Sequence, residues 1–281
     1  MKRINSLKLF LFSALFVVAV FSSCSVERKL ARQFTTHADQ VSLMVLMPPQ
    51  VFVINEKSPD SNNSFLFSDA LSDTSLLSNT LILKNLSDEL VLGSFKKAYI
   101  SELGSYGFKV FEENEMDTFT TMESEAYLVN VAQVELQEYL TSYEDAIDVG
   151  DNVFTQLVSL NGINLGVWFE LSQLNADQRK KIPVLFATHD LVDQFNGYFV
   201  QRFLTGEIEY RLTVDEITPE SVQSFIQYLG RLYAAYTFDY LMNTYIKNHA
   251  SDQALTNRYF RFDPYRKMLF FTESDKFIEL E

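Results

Sequence analysis

The sequence predicts an α+β fold: a mainly antiparallel sheet with one early helix and one long helix in the C-terminal half. Three observations predict it. Apolar runs of strand length recur between turn signals, from Val41 through Phe271. Ser87-Asp88-Glu89 opens a stretch with helical spacing of Leu92, Phe95, Tyr99 and Leu103. Thr218-Pro219-Glu220 opens a much longer one, in which Pro suits the first helical position and Glu the positive helix end.

Residues 1–24 read MKRINSLKLFLFSALFVVAVFSSC. Lys2, Arg3 and Lys8 form a positive start, and Leu9 to Phe21 is an almost unbroken apolar run. A run of that length suits the core of an export signal and is too short for a permanent membrane span. The stretch Phe21-Ser22-Ser23-Cys24 resembles the lipobox of bacterial lipoprotein precursors, with Phe21 where Leu is commonest. The resemblance implies that residues 1–23 are removed, that the Cys24 thiol carries diacylglycerol, and that its new amino group is acylated. Ser25 follows where enteric inner-membrane lipoproteins carry Asp, which by the same resemblance implies the outer membrane. Cys24 is the chain's one cysteine, and an exported chain has little use for a stray thiol. Residues 24–40 then form a lipidated start and a short helix, in which Val26, Leu30 and Phe34 recur at four-residue spacing. Residues 41–281 read as one α+β domain, with a possible sub-boundary near 140–152.

Within that domain, Val41–Met47 and Val51–Ile54 are strand-like and divided by Pro48-Pro49. The polar tract from Glu56 to Ser75 reads as a long loop. After the helix opened by Ser87, Gly104 and Gly107 end it and Phe108 to Glu112 is a strand. Ala126 to Tyr139 alternates as a long strand, followed by an acidic loop. Asn161-Gly162, between Val153–Leu160 and Ile163–Leu171, is the clearest hairpin signal, because both central residues of a type I′ turn need positive φ. Asn196-Gly197 is a second turn between strands at Ile182–Thr188 and Ile208–Val214. The late helix runs to about Asn248, and Tyr259–Phe262 and Lys267–Phe271 bracket Asp263-Pro264 as a terminal hairpin.

Of 281 residues, 23 are Lys or Arg and 37 are Asp or Glu, a formal charge of −14, and losing Lys2, Arg3 and Lys8 makes the mature chain more acidic still. Such a chain repels phosphate backbones, and its densest basic run, Arg179-Lys180-Lys181, is too short to hold a nucleic acid. No nucleic-acid partner is expected, and membrane attachment is expected through the lipid on Cys24 rather than through charge.

Chemistry-bearing residues are sparse. His37, His189 and His249 lie far apart and in no ligand spacing, so no metal is expected. The pair His189-Asp190 lacks a G-x-S-x-G elbow to serve. The clusters Glu112, Glu113, Glu115, Asp117 and Glu144, Asp145, Asp148, Asp151 read as solvated loops before they read as calcium sites. Glu135 and Glu138 are the best-placed paired carboxylates, yet three apart on a strand they point to opposite faces. Glycine loops for phosphates are missing, so no cofactor is expected and no catalytic residue is assigned. The late helix has two apolar stripes. Val222, Phe225, Leu229, Leu232, Tyr236 and Tyr240 make one, and Phe238, Leu241 and Tyr245 the other. Burial on both sides within the chain is the first reading, and Phe238, Leu241 and Tyr245 are the alternative partner surface.

These readings converge on a cell-envelope lipoprotein, probed as a non-enzymatic binding or scaffolding subunit with an envelope protein partner. An envelope hydrolase acting on glycan or peptide and a carrier of an apolar ligand are the alternatives.

Overall fold

The computed structural model describes residues 26–57, 81–122, 125–174, 182–251 and 258–280. Helix α1 (Val26–Thr36) opens the described chain. The described residues divide into two units, one built from residues 26–39 and 237–275, the other from 40–236 and 276–280. Cys24 and the leader, the polar tract beyond Lys57 and the run Arg179-Lys180-Lys181 lie outside the described residues.

The larger unit is organised on one sheet. Its strands are β1 (Ser42–Leu46), β2 (Phe52–Asn55), β3 (Lys109–Glu112), β4 (Ala126–Val149), β5 (Asn152–Gln173), β6 (Val184–Val192) and the terminal β11 (Ile278–Leu280). The order is β11-β6-β5-β4-β1-β3, with β2 beside β4. The α+β class holds, but the sheet is mixed where a mainly antiparallel one was expected. Strand β1 pairs parallel with both β3 and β4, and β2 pairs parallel with β4. The cause is the helix α2 (Asp88–Ser105), which lies in the chain between β2 and β3. A strand that leaves through a helix can return parallel, whereas a tight turn returns antiparallel. The pairs β4–β5, β5–β6 and β6–β11 are antiparallel.

Helix α2 starts as the sequence predicts: the Ser87 hydroxyl accepts from the Leu90 N–H at 3.2 Å. It ends before Gly107, whose φ of 99° is open only to glycine without strain. The acids after β3 build structure. Glu112 and Glu115 cap a short turn reciprocally, and helix α3 (Met116–Thr120) follows, with Phe119 buried beside Met44 and Ala126. The late helix α4 (Pro219–His249) begins within this unit, and the Thr218 hydroxyl accepts from the Ser221 N–H at 3.2 Å.

Both Asn-Gly pairs lie inside strands, which corrects the two turns expected there. Strand β4 continues through Val149 and turns at Gly150-Asp151, with Gly150 at φ 65°. Gly162 sits opposite Tyr139 in the ladder, and a Cβ on it would strike the Tyr139 ring. Gly197 likewise lies under Tyr210 on strand β8 (Ile208–Asp215), which pairs with β7 (Gln194–Gln201). Each glycine is a seat for a tyrosine ring rather than a bend.

The core is aromatic. Phe95, Tyr99, Phe169 and Tyr233 are fully buried and meet in a ring cluster with centroids 5.7 to 6.1 Å apart. Gly230 permits that contact: a Cβ there would lie 2.7 Å from the Phe95 carbonyl oxygen and 3.0 Å from the Ala98 Cβ.

The smaller unit joins α1, the second half of α4, and a hairpin of β9 (Tyr259–Asp263) and β10 (Met268–Thr272). The face of α1 that packs inward is Glu27, Ala31 and Phe34, and Val26 points to solvent, so the expected Val26–Leu30–Phe34 stripe is rotated. Phe34 contacts Phe238 edge-on at 5.4 Å and Tyr245 at 5.5 Å.

Gly230→Ala forces α4 away from α2 and is expected to cost about 1–3 kcal/mol. Gly93→Ala, where nothing lies within 4 Å of the added carbon, is expected to be neutral or slightly stabilising. Urea unfolding of the two variants checks this, and equal midpoints would contradict the close helix crossing.

Candidate functional site

Three features of the larger unit and one of the smaller hold the polar or exposed groups that could act. The first is a buried ion network. Glu138 is fully buried, and its carboxylate accepts from Lys57 Nζ at 2.7 Å and from the N–H groups of Ile82 and Leu83 at 3.0 and 3.2 Å. Lys57 Nζ also donates to Asn161 Oδ1 at 2.9 Å. Asn161 in turn donates from its backbone and side chain to Asp193 Oδ2, both at 2.7 Å, and Asp193 Oδ1 accepts from the Ile217 N–H at 2.7 Å. Asn161 thus ties β5 to Asp193 between β6 and β7, and Asp193 reaches the entry of α4. Glu138 and Asp193 are both buried, and each of these bonds ties one segment of the unit to another.

The second is a β-ribbon arm. Strand β6 stops pairing with β5 at Gly162↔Val192, so residues 140–161 continue as a two-stranded ribbon. The ribbon β7–β8 lies against one of its faces: Tyr143 contacts Phe195 at 5.1 Å, and Tyr210 Oη donates to Asp145 Oδ2 at 3.1 Å. Leu140, Val153 and Leu157 are exposed on the opposite face. No Lys or Arg occurs from Glu125 to Leu174. At the turn of β7–β8, Phe203 and Leu204 are 99% and 94% exposed. The neck of that turn is closed by the Arg202 N–H donating to the Glu207 carbonyl and the Gly206 N–H to the Arg202 carbonyl, both at 2.8 Å.

The third is an open polar groove of about 710 Å³ where α2 and α4 diverge from the Gly230 crossing. Lys97 and Arg231 face it from the two helices, with Glu89, Ser94, Gln223 and Gln227 between. Leu90, Gly93 and Ala98 give it an apolar part beside these polar groups.

In the smaller unit, Asp239 is held by the Phe262 N–H at 3.0 Å and by Arg261 Nε at 3.4 Å, and Asn243 exchanges two 2.8 Å bonds with the Phe260 backbone. Burial pushes the Asp239 carboxyl up to about 7, against the pull of the Phe262 N–H and Arg261. Arg28, Arg32 and Lys267 line a hollow of about 220 Å³ with Thr35, Phe262 and Met268. Sequence reading missed this basic gathering, because its members are up to 239 positions apart and the pairs Arg28-Lys29 and Arg266-Lys267 are each too short to stand out.

The residues singled out from sequence are mostly dispersed. His37 and His249 each bond a helix carbonyl four residues back at 2.8 Å. His189 faces the buried Tyr233 hydroxyl at 3.1 Å, and burial holds its imidazole below the ordinary value. Asp190, on the other side of the strand, accepts from Tyr139 at 2.8 Å and from Asn164 at 3.0 Å, so it does not orient His189. Burial of the phenol, with the hydrogen bond to Asp190 and its charge, pushes Tyr139 up to about 12. Glu135 and Glu138 point to opposite faces as expected. Glu144 and Asp148 lie on one face of the arm and Asp145 on the other, so that cluster does not converge. Among the described residues no group of three or more His, Cys, Asp or Glu could hold a metal. Phe238 and Leu241 are buried, which withdraws them from a partner surface and leaves Tyr245 half-buried.

No family model and no curated protein matches the chain. A solved structure from Helicobacter pylori, provisionally described as a neuraminyllactose-binding hemagglutinin homolog, aligns over 74% of this chain and 88% of that one. The identity is 10% and the TM-score 0.31, a likeness too slight to carry an argument.

Removing one partner of the Lys57–Glu138 pair leaves a buried charge alone. Lys57→Met or Glu138→Leu is expected to cost about 3–5 kcal/mol, and the double variant to recover much of that. A double-mutant cycle by chemical unfolding measures it, and additive losses would contradict the pairing.

Asp239 binds its proton more tightly folded than unfolded. Its stabilising contribution is therefore complete below the ordinary carboxylate value of 3.8 and is lost as pH rises through about 7. Relative to Asp239→Asn, the native chain is expected to lose on the order of 2–4 kcal/mol between pH 4 and pH 8. Parallel pH–stability curves for the two proteins would refute the shift.

Proposed function

We propose that the chain is a cell-envelope lipoprotein, held in the outer membrane by lipid on Cys24, that serves as a non-enzymatic binding or scaffolding subunit of an outer-membrane or cell-wall assembly. The leader and lipobox-like stretch support the anchoring. The observation that carries the binding role is the turn of the β7–β8 ribbon that lies against the arm, where Phe203 and Leu204 stand out in water. Large apolar side chains in full contact with solvent cost free energy, and paired at the end of a rigid ribbon they suit insertion into a partner's pocket. Arg202 beside the turn is paired with Glu207 and Glu209, and the β4–β5 arm against which this ribbon lies carries Glu144, Asp148 and Asp151 without a base, so the partner surface that receives them is basic at its rim.

A photo-reactive amino acid at Leu204, introduced in the native host, is expected to give one discrete envelope adduct. Phe203→Ser is expected to reduce that adduct at least tenfold, and Cys24→Ser to move the protein out of the membrane fraction. A ribbon that gives no adduct, in a chain that purifies as a lone monomer after gentle detergent extraction, would overturn the binding role. A membrane fraction unchanged by Cys24→Ser would overturn the anchoring.

A further inference from the structure

The chain's acidity is not spread evenly. The described residues of the smaller unit hold eight Lys or Arg against six Asp or Glu, although the whole chain is at −14. Arg28 and Arg32 are one helical turn apart on α1, and with Lys267 from the β9–β10 turn they line one hollow. Lys267 sits there at φ 51°, a left-handed conformation rare for a side chain of its size, and its own turn fixes its direction. Thr35 adds a hydroxyl to the same hollow, and Phe262, Met268 and Leu269 supply an apolar side. Beside it the hairpin exposes Tyr265 at 75% and Phe271 at 62%, with Arg258 stacked over the Phe271 ring at 5.1 Å.

Two arginines and a lysine around about 220 Å³ match the charge and size of one phosphate ester. Exposed aromatic rings next to cations match the boundary of a bilayer, where a ring enters the acyl layer and the cation stays at the phosphate. Chain length selects the source of that phosphate. From Cys24 to Arg28 there are four residues, at most ~14 Å of extended chain. If Cys24 is acylated, lipid phosphates stand within reach of Arg28 and Arg32 at all times. We propose that the Arg28–Arg32–Lys267 hollow binds the phosphate of an anionic lipid headgroup and seats the smaller unit on the bilayer. The proximity argument rests on the anchoring proposed above, while the site's chemistry does not.

The test uses the mature chain, residues 24–281, with Cys24→Ser so that no acyl group masks the headgroup term. Its co-sedimentation is compared on vesicles of phosphatidylcholine alone and with phosphatidylglycerol at about one part in three. At least tenfold tighter binding to the phosphatidylglycerol vesicles is expected. Arg28→Glu with Arg32→Glu, or Lys267→Glu, is expected to abolish that preference, while Arg28→Lys with Arg32→Lys keeps most of it. Lys97→Glu with Arg231→Glu, in the other cationic groove, is expected to leave it unchanged. Thermal melts confirm that each variant is folded. Equal binding to both vesicles, or a preference that survives the glutamates, overturns the site. Competition by millimolar glycerol phosphate to completion would mean a soluble phosphate ester is the ligand and overturns the lipid assignment. Intact mass of protein from the native host reports separately whether Cys24 is acylated, so the two readings fail by different measurements.

Discussion

The carboxylate of Glu138 is the constraint on which the larger unit depends. It is removed from water, so it must be ionically and hydrogen-bond satisfied or the strand carrying it could not occupy the sheet. It takes its partners from both sides of a long stretch of sequence, Lys57 after β2 and the Ile82 and Leu83 amides before α2. The parallel seating of β2 on β4 places Lys57 there: Asn55 pairs with Glu138, and the Glu56 N–H donates to the Glu138 carbonyl at 2.9 Å. An apolar residue at 138 would leave the Ile82 and Leu83 amides without this acceptor and Lys57 with only Asn161 Oδ1 in place of a counter-charge. One side chain thus fixes the entry of α2, and through Lys57, Asn161 and Asp193 it also fixes where β5 and β6 diverge and where α4 begins.

From that point the sheet changes character. Below it, β4 and β5 are flanked by β1, β2 and β6 and covered by the Phe95–Tyr99–Phe169–Tyr233 cluster. Above it, they leave as a ribbon with, among the described elements, β7–β8 across one face. Tyr139 and Gly162 mark the boundary, since the ring lies flat over the glycine and lets the ribbon depart without a side chain in the way. The fold is therefore rigid where aromatic rings interlock and extended where polar alternation takes over. The most exposed large apolar side chains, Phe203, Leu204 and Tyr265, lie at the turns of the β7–β8 and β9–β10 hairpins.

Much of the architecture was legible in local sequence signals. Ser87 and Thr218 cap the helices they were expected to cap, and the Asp263-Pro264 hairpin stands where the turn residues put it. Signals that depend on partners far along the chain misled. Asn161-Gly162 has turn chemistry, but the small residue answers a tyrosine 23 positions earlier, visible only once β4 and β5 are in register. The stripe Phe238–Leu241–Tyr245 left two readings open, burial within the chain before a partner surface, and Phe34 and Phe262 closing on Phe238 decide for burial there. Parallel pairing left only a faint trace, the near-continuous apolar run Val41–Met47 of a strand buried on both faces, which an antiparallel core strand could also carry. The basic hollow was hidden because the two short basic stretches that build it, 28–32 and 266–267, come together only in the fold.

Charge segregation also explains how the arm persists in water. A two-stranded ribbon exposes unpaired edges, and Leu140, Val153 and Leu157 on an open face would invite a second ribbon to pair or stack. Glu144 and Asp148 share that face, and Asp151 crowns its turn, with no base on either strand to offset them. Two such arms brought edge to edge would align like charges, which disfavours self-pairing more than any loss of apolar contact would. The same acids would hold the arm off an anionic surface, while the Arg28–Lys267 hollow is drawn to one. A chain with its acids mixed evenly among its bases could not separate those two behaviours, so the lopsided composition is itself what allows one part to repel what another part attracts.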